Sequence, residues 1–231
     1  MLKAVVFDLD NTLYDYDAAH APAFAALTDY ACRAFGLTPE DFVRRHDIAY
    51  RELARRCGEN CAAVHNRLLR YQVLLEQLGR PVGLAPEMSR LYWDTLLNAM
   101  RPYPDAVSTM EKLRDMGLVV GVGTNMTAES QYEKLLRIGA MDQVDFIVTS
   151  EEVGAEKPDR RLFDMCAEKA GCAARECLFV GDNPAYDVRG ALAAGMRAAW
   201  YRPGDGEGAA IPGAATIRRL SELVGLVKSG I

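Results

Sequence analysis

Residues 4–10 read Ala-Val-Val-Phe-Asp-Leu-Asp, an apolar run that stops on two carboxylates. The β-branched and aromatic residues at 5–7 predict a strand buried on both faces, the kind found inside parallel sheets. Asp8 and Asp10 then fall at its carboxyl end, where open α/β sheets place their ligands. In an extended segment, residues two apart point to the same side, so both carboxyls converge on one small volume. They repel there unless a proton or cation intervenes, and a divalent metal is the natural answer.

The rest of the chain supplies the sheet. From Val107 onward strand-like and helix-like segments alternate, the pattern of a doubly wound parallel α/β fold. Strands are expected at 3–9, 118–124, 144–149, 177–181 and 197–201, and helices at 104–116, 127–138, 159–171, 184–194 and 217–227. Gly117, Gly139, Gly171 and Gly195 follow four of these helices, where a left-handed cap favours glycine. Residues 18–99 show no strand pattern. They read as helices at 18–35, 39–56, 60–78 and 86–99, broken at Gly36, Gly58, Gly79 and Gly83. The expected organisation is a doubly wound core, 1–16 with 101–231, and an all-helical insert, 17–100. Hinges fall near 14–17 and 100–104, with a Gly- and Pro-rich surface loop at 203–213.

A chain of 231 residues can bury a sizeable core. Its formal net charge of −5, with no run of Lys and Arg, excludes a polymeric nucleic acid as partner. Six cysteines without a CxxC pair or a secretory leader ahead of them imply reduced thiols and a cytoplasmic protein. No stretch approaches the ~18 uninterrupted apolar residues of a membrane helix, so no membrane partner is expected.

Three more stretches carry chemistry-bearing residues: Val120-Gly121-Val122-Gly123-Thr124-Asn125, Glu156-Lys157-Pro158-Asp159, and Leu178-Phe179-Val180-Gly181-Asp182-Asn183-Pro184-Ala185-Tyr186-Asp187. With Asp8-Leu9-Asp10-Asn11-Thr12-Leu13 they resemble, in order, the four motifs of the haloacid dehalogenase superfamily. The likeness spans nearly the whole chain and implies a Rossmann-like core with a helical cap inserted after the first motif. Asp8 is the candidate nucleophile, since a carboxylate can attack phosphorus and form an aspartyl-phosphate that water hydrolyses. Asp10 is the candidate acid and base. The resemblance favours phosphate over carbon–halogen bonds, because members acting on the latter lack an acid at this position. It implies Mg²⁺ as cofactor, held by the carboxylates of Asp8 and Asp182 and the backbone carbonyl of Asp10, with Asp187 and Asn183 in the outer shell. Thr124, Asn125 and Lys157 form the implied phosphate cradle, and Lys157 sets a cation beside the nucleophile. Met126 stands where relatives often carry glycine, and Arg160 and Arg161 add charge near the rim.

Taken singly, these residues have plainer readings. Asp182 could cap a helix before Pro184, Lys157 could be a solvated surface lysine, Thr124 a strand-end hydroxyl, and Asp187 a residue on a wet helix face. Cys57, Cys61 and His65 recur every fourth residue and would share a face of a continuous helix, but Gly58 and the lack of a fourth ligand argue against zinc. Tyr14, Asp15 and Tyr16 suit a hinge as well as a substrate. His65, Asn66, Arg67 and Arg70 are specificity candidates, Tyr92 and Trp93 read as core, and His20 and His46 as incidental. The expected function is a Mg²⁺-dependent phosphatase of small phosphorylated metabolites, as monomer or homodimer. Nucleoside 5′-monophosphates lead among the substrates. Sugar phosphates, acylneuraminate phosphates and a non-catalytic phosphate sensor are the alternatives.

Overall fold

A computed structural model describes residues 1–204 and 209–230. The chain forms two compact units, one of Tyr16–Met100 and one of Met1–Asp15 with Arg101–Ile231.

The first unit is helical: α1 (Tyr16–Phe35), α2 (Pro39–Cys57), α3 (Arg67–Leu78) and α4 (Ala85–Ala99). Ala19, Ala23, Leu27 and Ala31 recur at every fourth position of α1 and are buried, an apolar stripe at helical spacing. Pairing is of α1 with α4 and of α2 with α3. The expected continuous helix over 60–78 is instead a short 3₁₀ turn, Ala62–His65, followed by α3. Asn66 separates them, its side chain accepting from the Leu69 amide at 3.1 Å as an N-cap. Cys57 therefore ends α2 while Cys61 precedes the turn, so no single helix face carries Cys57, Cys61 and His65.

The second unit is a six-stranded parallel sheet: β1 (Ala4–Phe7), β2 (Val119–Thr124), β3 (Phe146–Thr149), β4 (Cys177–Gly181), β5 (Arg197–Tyr201) and β6 (Ala214–Ile217). Flanking it are α5 (Ala106–Asp115), α6 (Ala128–Arg137), the four-residue α7 (Ser150–Val153), α8 (Arg160–Lys169), α9 (Arg189–Ala193) and α10 (Glu222–Ser229). The strand order is β3-β2-β1-β4-β5-β6. Progress along the chain runs outward from β1 through β2 to β3, then returns to β1's other side with β4. This reversal leaves a crevice at the carboxyl ends of the central strands, the topological switch point where such sheets bind ligands. Below it, α8 contributes Leu162, Phe163 and Cys166 to a core shared with Val6, Val148 and Phe179.

Two expectations change here. Ala214–Ile217 is a sheet-edge strand rather than loop and helix start, and α10 begins only at Glu222. The expected helix 184–194 opens as a π-turn, Pro184–Val188, before α9. Of the Gly- and Pro-rich loop expected at 203–213, residues 205–208 lie outside the described residues. The six cysteines are free thiols, and among the described residues no helix is long and apolar enough to cross a membrane.

Candidate active site

The ladder of β1 continues one residue past the strand, for the Asp8 amide donates to the Val180 carbonyl at 2.8 Å. The chain then turns tightly. Leu13 N–H bonds the Leu9 carbonyl at 2.9 Å, and Asn11 takes the left-handed region at φ 59° that asparagine tolerates. The turn sets the Thr12 hydroxyl between two strand ends, donating to Asp8 Oδ2 at 3.4 Å and accepting from the Asp182 amide at 3.1 Å.

Asp182 follows β4 directly, its carbonyl held by the Trp200 indole N–H at 2.8 Å. The helix cap here is Asn183, not Asp182: the Asn183 Oδ1 accepts from the amides of Ala185 and Tyr186 at 2.9 and 3.0 Å. The π-turn it starts folds Asp187 back toward β4, where the carboxyl is 1 % exposed rather than wet. Gly181 makes room for it, since a Cβ there would stand 2.4 Å from the Asp187 carboxyl. Asp187 Oδ2 also accepts from the Asn183 amide at 2.9 Å.

Carboxylate oxygens of Asp8, Asp182 and Asp187 lie within 4.8 Å of one another. Lys157, only 5 % exposed, enters from the loop after α7. Its Nζ donates to Asp8 Oδ1 and to the Gly123 carbonyl at 3.2 Å, and forms an ion pair with Asp187 Oδ1 at 2.7 Å. One ammonium facing three acids leaves negative charge in excess. Burial, and then the carboxylates of Asp187 and Asp182, push the Asp8 carboxyl up to about 8 against the pull of Lys157. Asp182 is pushed up to about 6 by burial and then by Asp187. Such oxygen-only, over-acidic clusters suit a hard divalent cation.

Asp10 lives in another environment. Lys134 of α6 is fully buried, and its Nζ sits 2.8 Å from both Asp10 carboxylate oxygens. The Tyr14 hydroxyl donates to Asp10 Oδ1 at 2.5 Å. The Asp10 side chain retains 30 % exposure and does not join the three-carboxylate cluster. Two acids two residues apart are thus divided, one among acids with Lys157, one clamped by Lys134 and Tyr14.

Thr124 closes β2, and its hydroxyl accepts from Gln131 Nε2 at 2.5 Å. The same amide reaches the Asn125 carbonyl at 2.9 Å, and Asn125 Oδ1 accepts from the Lys157 amide at 2.8 Å. Met126 adopts φ 109°, a backbone region that favours glycine, with its amide held by Ser150 Oγ at 2.8 Å. The glycine-favouring backbone is therefore present here with a side chain attached. Asp8, Asp10, Thr124, Asn125, Lys157, Asp182, Asn183 and Asp187 line one cleft of about 210 Å³. A depression of about 560 Å³ at the opposite end of β2 is roomier but lined by surface groups such as Glu111, Arg114 and Asp145 without buried acids. Arg160 and Arg161 make exposed ion pairs with Asp164 and Asp159 and do not reach the cleft.

Sequence reasoning missed Lys134, Gln131 and Thr12. Lys134 is one of several polar residues of an amphipathic helix, and nothing local marks it as the partner of an acid 124 residues earlier. Gln131, three residues before it and fully buried, carries the available signal: an uncharged amide and a lysine together on the inward face of a helix.

Residues 2–195 match the family described as haloacid dehalogenase-like hydrolase. The chain is 36 % identical over 208 residues to the ribulose-1,5-bisphosphate 5-phosphatase of Halopiger xanaduensis, covering 89 % of this chain and 87 % of that one. It is 34 % identical over 206 residues to the glyceraldehyde 3-phosphate phosphatase of Methanopyrus kandleri, covering 85 % and 82 %. Its structure is similar to that of a 2-haloacid dehalogenase from Pseudomonas syringae pv. Tomato, with a TM-score of 0.82 and 29 % identity over the full length of both chains.

Proposed function

Because the chain belongs to the haloacid dehalogenase-like hydrolases, we propose that it hydrolyses small phosphate monoesters through an aspartyl-phosphate on Asp8. The observation that carries this reading is the different setting of two neighbouring carboxylates. Paired titratable groups held in unlike environments take unlike roles. Asp8, beside Lys157 in the acidic cluster, is the nucleophile. Asp10, held by Lys134 and Tyr14 at a half-open position, moves the protons.

An Asp8 oxygen attacks phosphorus, the ester P–O bond breaks, and the departing alkoxide takes a proton from Asp10. Asp10 then receives a proton from the water that attacks the phosphorus of the aspartyl-phosphate, releasing phosphate and restoring Asp8. Lys157, Thr124 and the Asn125 backbone amide are the groups that hold the phosphoryl oxygens. Asp8, Asp182 and the Asp10 carbonyl would hold Mg²⁺, with Asp187 and Asn183 behind them. That ion supplies charge neutralisation between two anions. A dehalogenase reading explains the shared fold but gives no work to the clamped acid at Asp10.

The substrate class is the sugar phosphates, the alternative that the names of the relatives support over nucleoside monophosphates. Phosphate release from an aryl phosphate, then from sugar phosphates, nucleotides and triose phosphates, is expected with Mg²⁺ and is lost at least about 100-fold in EDTA. Binding without turnover across the whole panel would establish the sensor alternative instead.

Lys134 is a positioning residue in this scheme. Lys134→Met is expected to lower kcat about 10- to 100-fold with little change in KM, the cost of letting a catalytic carboxylate drift. Lys134→Arg should recover part of the loss. A Lys134→Met enzyme with wild-type kcat would remove Lys134 from the mechanism.

A further inference from the structure

The helical unit buries two arginines without an acid. Arg67 and Arg70 lie one turn apart at the start of α3, and each is 7 % exposed. Among the described residues neither forms an ion pair. Their donors go to neutral oxygens. Arg67 Nη1 reaches the His65 carbonyl at 3.1 Å, and Nη2 reaches the hydroxyls of Tyr16 and Tyr92 at 3.0 and 3.3 Å. Arg70 Nη2 reaches the Val64 carbonyl at 2.8 Å. Arg70 Nε and the Tyr71 hydroxyl are buried with no hydrogen-bond partner.

The surroundings repeat the theme. Tyr16 and Tyr92 hydroxyls stand 3.2 Å apart, and His20 Nδ1 is 2.7 Å from the Tyr92 hydroxyl. The Arg67 guanidinium lies 4.9 Å from the Tyr92 ring centre and that of Arg70 4.6 Å from Tyr50. His46 and Tyr71 complete the set, their rings 6.2 Å apart. Burial, then Arg70 and Arg67, hold His46 down to about 3, so it adds no further positive charge. Burial and Arg67 push Arg70 down to about 10. Asp17 acts on His20, yet forms no ion pair with either guanidinium.

Aromatic faces and phenols accommodate a guanidinium, but they bring no negative charge. Buried cations are ordinarily paired, and removing an ion from water without a partner is strongly unfavourable. Two of them one turn apart, with unused donors beside them, form the half of an ion pair that a protein keeps for a ligand. The planar fork of arginine suits carboxylate and phosphate oxygens.

We propose that this cluster is a receptor for one small oxyanion, a phosphate or carboxylate group. Arg67 and Arg70 supply the charge, and the hydroxyls of Tyr16, Tyr71 and Tyr92 supply further donors. The group is a free anion held within the helical unit.

All three histidines of the chain, His20, His46 and His65, lie in this unit and serve as reporters. On titrating the full-length protein with inorganic phosphate, the ring NMR signals of His20 and His46 are expected to move saturably. Arg67→Gln should weaken that response at least tenfold, and Arg70→Gln is the second variant should the first not fold. Signals that stay fixed, or that move equally in wild type and both variants, overturn the receptor.

Discussion

Asp8→Asn is expected to lower the turnover of an aryl phosphate by at least about 10⁴-fold, because an amide oxygen does not form the covalent intermediate. The fold should survive. Asn is isosteric with Asp, the amide of residue 8 keeps its bond to Val180, and Lys157 keeps its ion pair with Asp187. The substitution also removes one of three carboxylates whose oxygens crowd within 4.8 Å. In EDTA, where no cation offsets that repulsion, the melting temperature of Asp8→Asn should equal or exceed that of wild type. Steady-state rates and a thermal melt on the same preparation check both halves. A folded Asp8→Asn protein with substantial phosphatase activity would remove Asp8 as the nucleophile.

Asp10→Asn should cost about 10²- to 10⁴-fold, the usual range for a positioned acid and base. Both chemical steps depend on it, so the loss has a signature. The phosphorylation step should suffer more with alkyl esters, whose alkoxides need a proton, than with nitrophenyl esters, whose leaving groups depart without one. The hydrolysis of the phospho-enzyme should slow with every substrate, since its water is the same. Pre-steady-state measurement with one alkyl and one nitrophenyl ester reads the two steps separately. Equal losses in the first step for both leaving groups would assign Asp10 a structural role, with Lys134 and Tyr14 as its structural partners.

What could be read from the chain follows physical range. The run from Ala4 to Phe7 and the run from Cys177 to Gly181 are wholly apolar and end abruptly on acids, so their limits as strands are visible locally. Ala214–Ile217 is not: four residues with two alanines, half-buried at the sheet edge, give no period to detect. Asn66 hid a cap inside what reads as continuous helical periodicity, and with it went any shared face for Cys57, Cys61 and His65. The short α7 is likewise invisible, although Thr149 caps it by accepting from the Glu152 amide at 3.2 Å. At the site, Asp8, Thr124 and Asp182 stand at strand ends and share a cleft for that reason. Burial of Asp187 depends on a π-turn and on a missing Cβ at Gly181, and neither has a sequence signal beyond the glycine itself. The Lys134 to Asp10 contact is non-local and emerges only once α6 has packed.

The central claim is that a carboxylate at the end of β1 becomes bonded to phosphorus. Acid quenching of Asp10→Asn protein mixed with Mg²⁺ and an aryl phosphate, followed by peptide mass mapping, tests it most directly. The account predicts a phosphoryl group on the peptide carrying Asp8, which is absent from the Asp8→Asn protein treated alike. Turnover with no phosphoryl-enzyme at any quench time, or a phosphoryl group on a different residue, would contradict it.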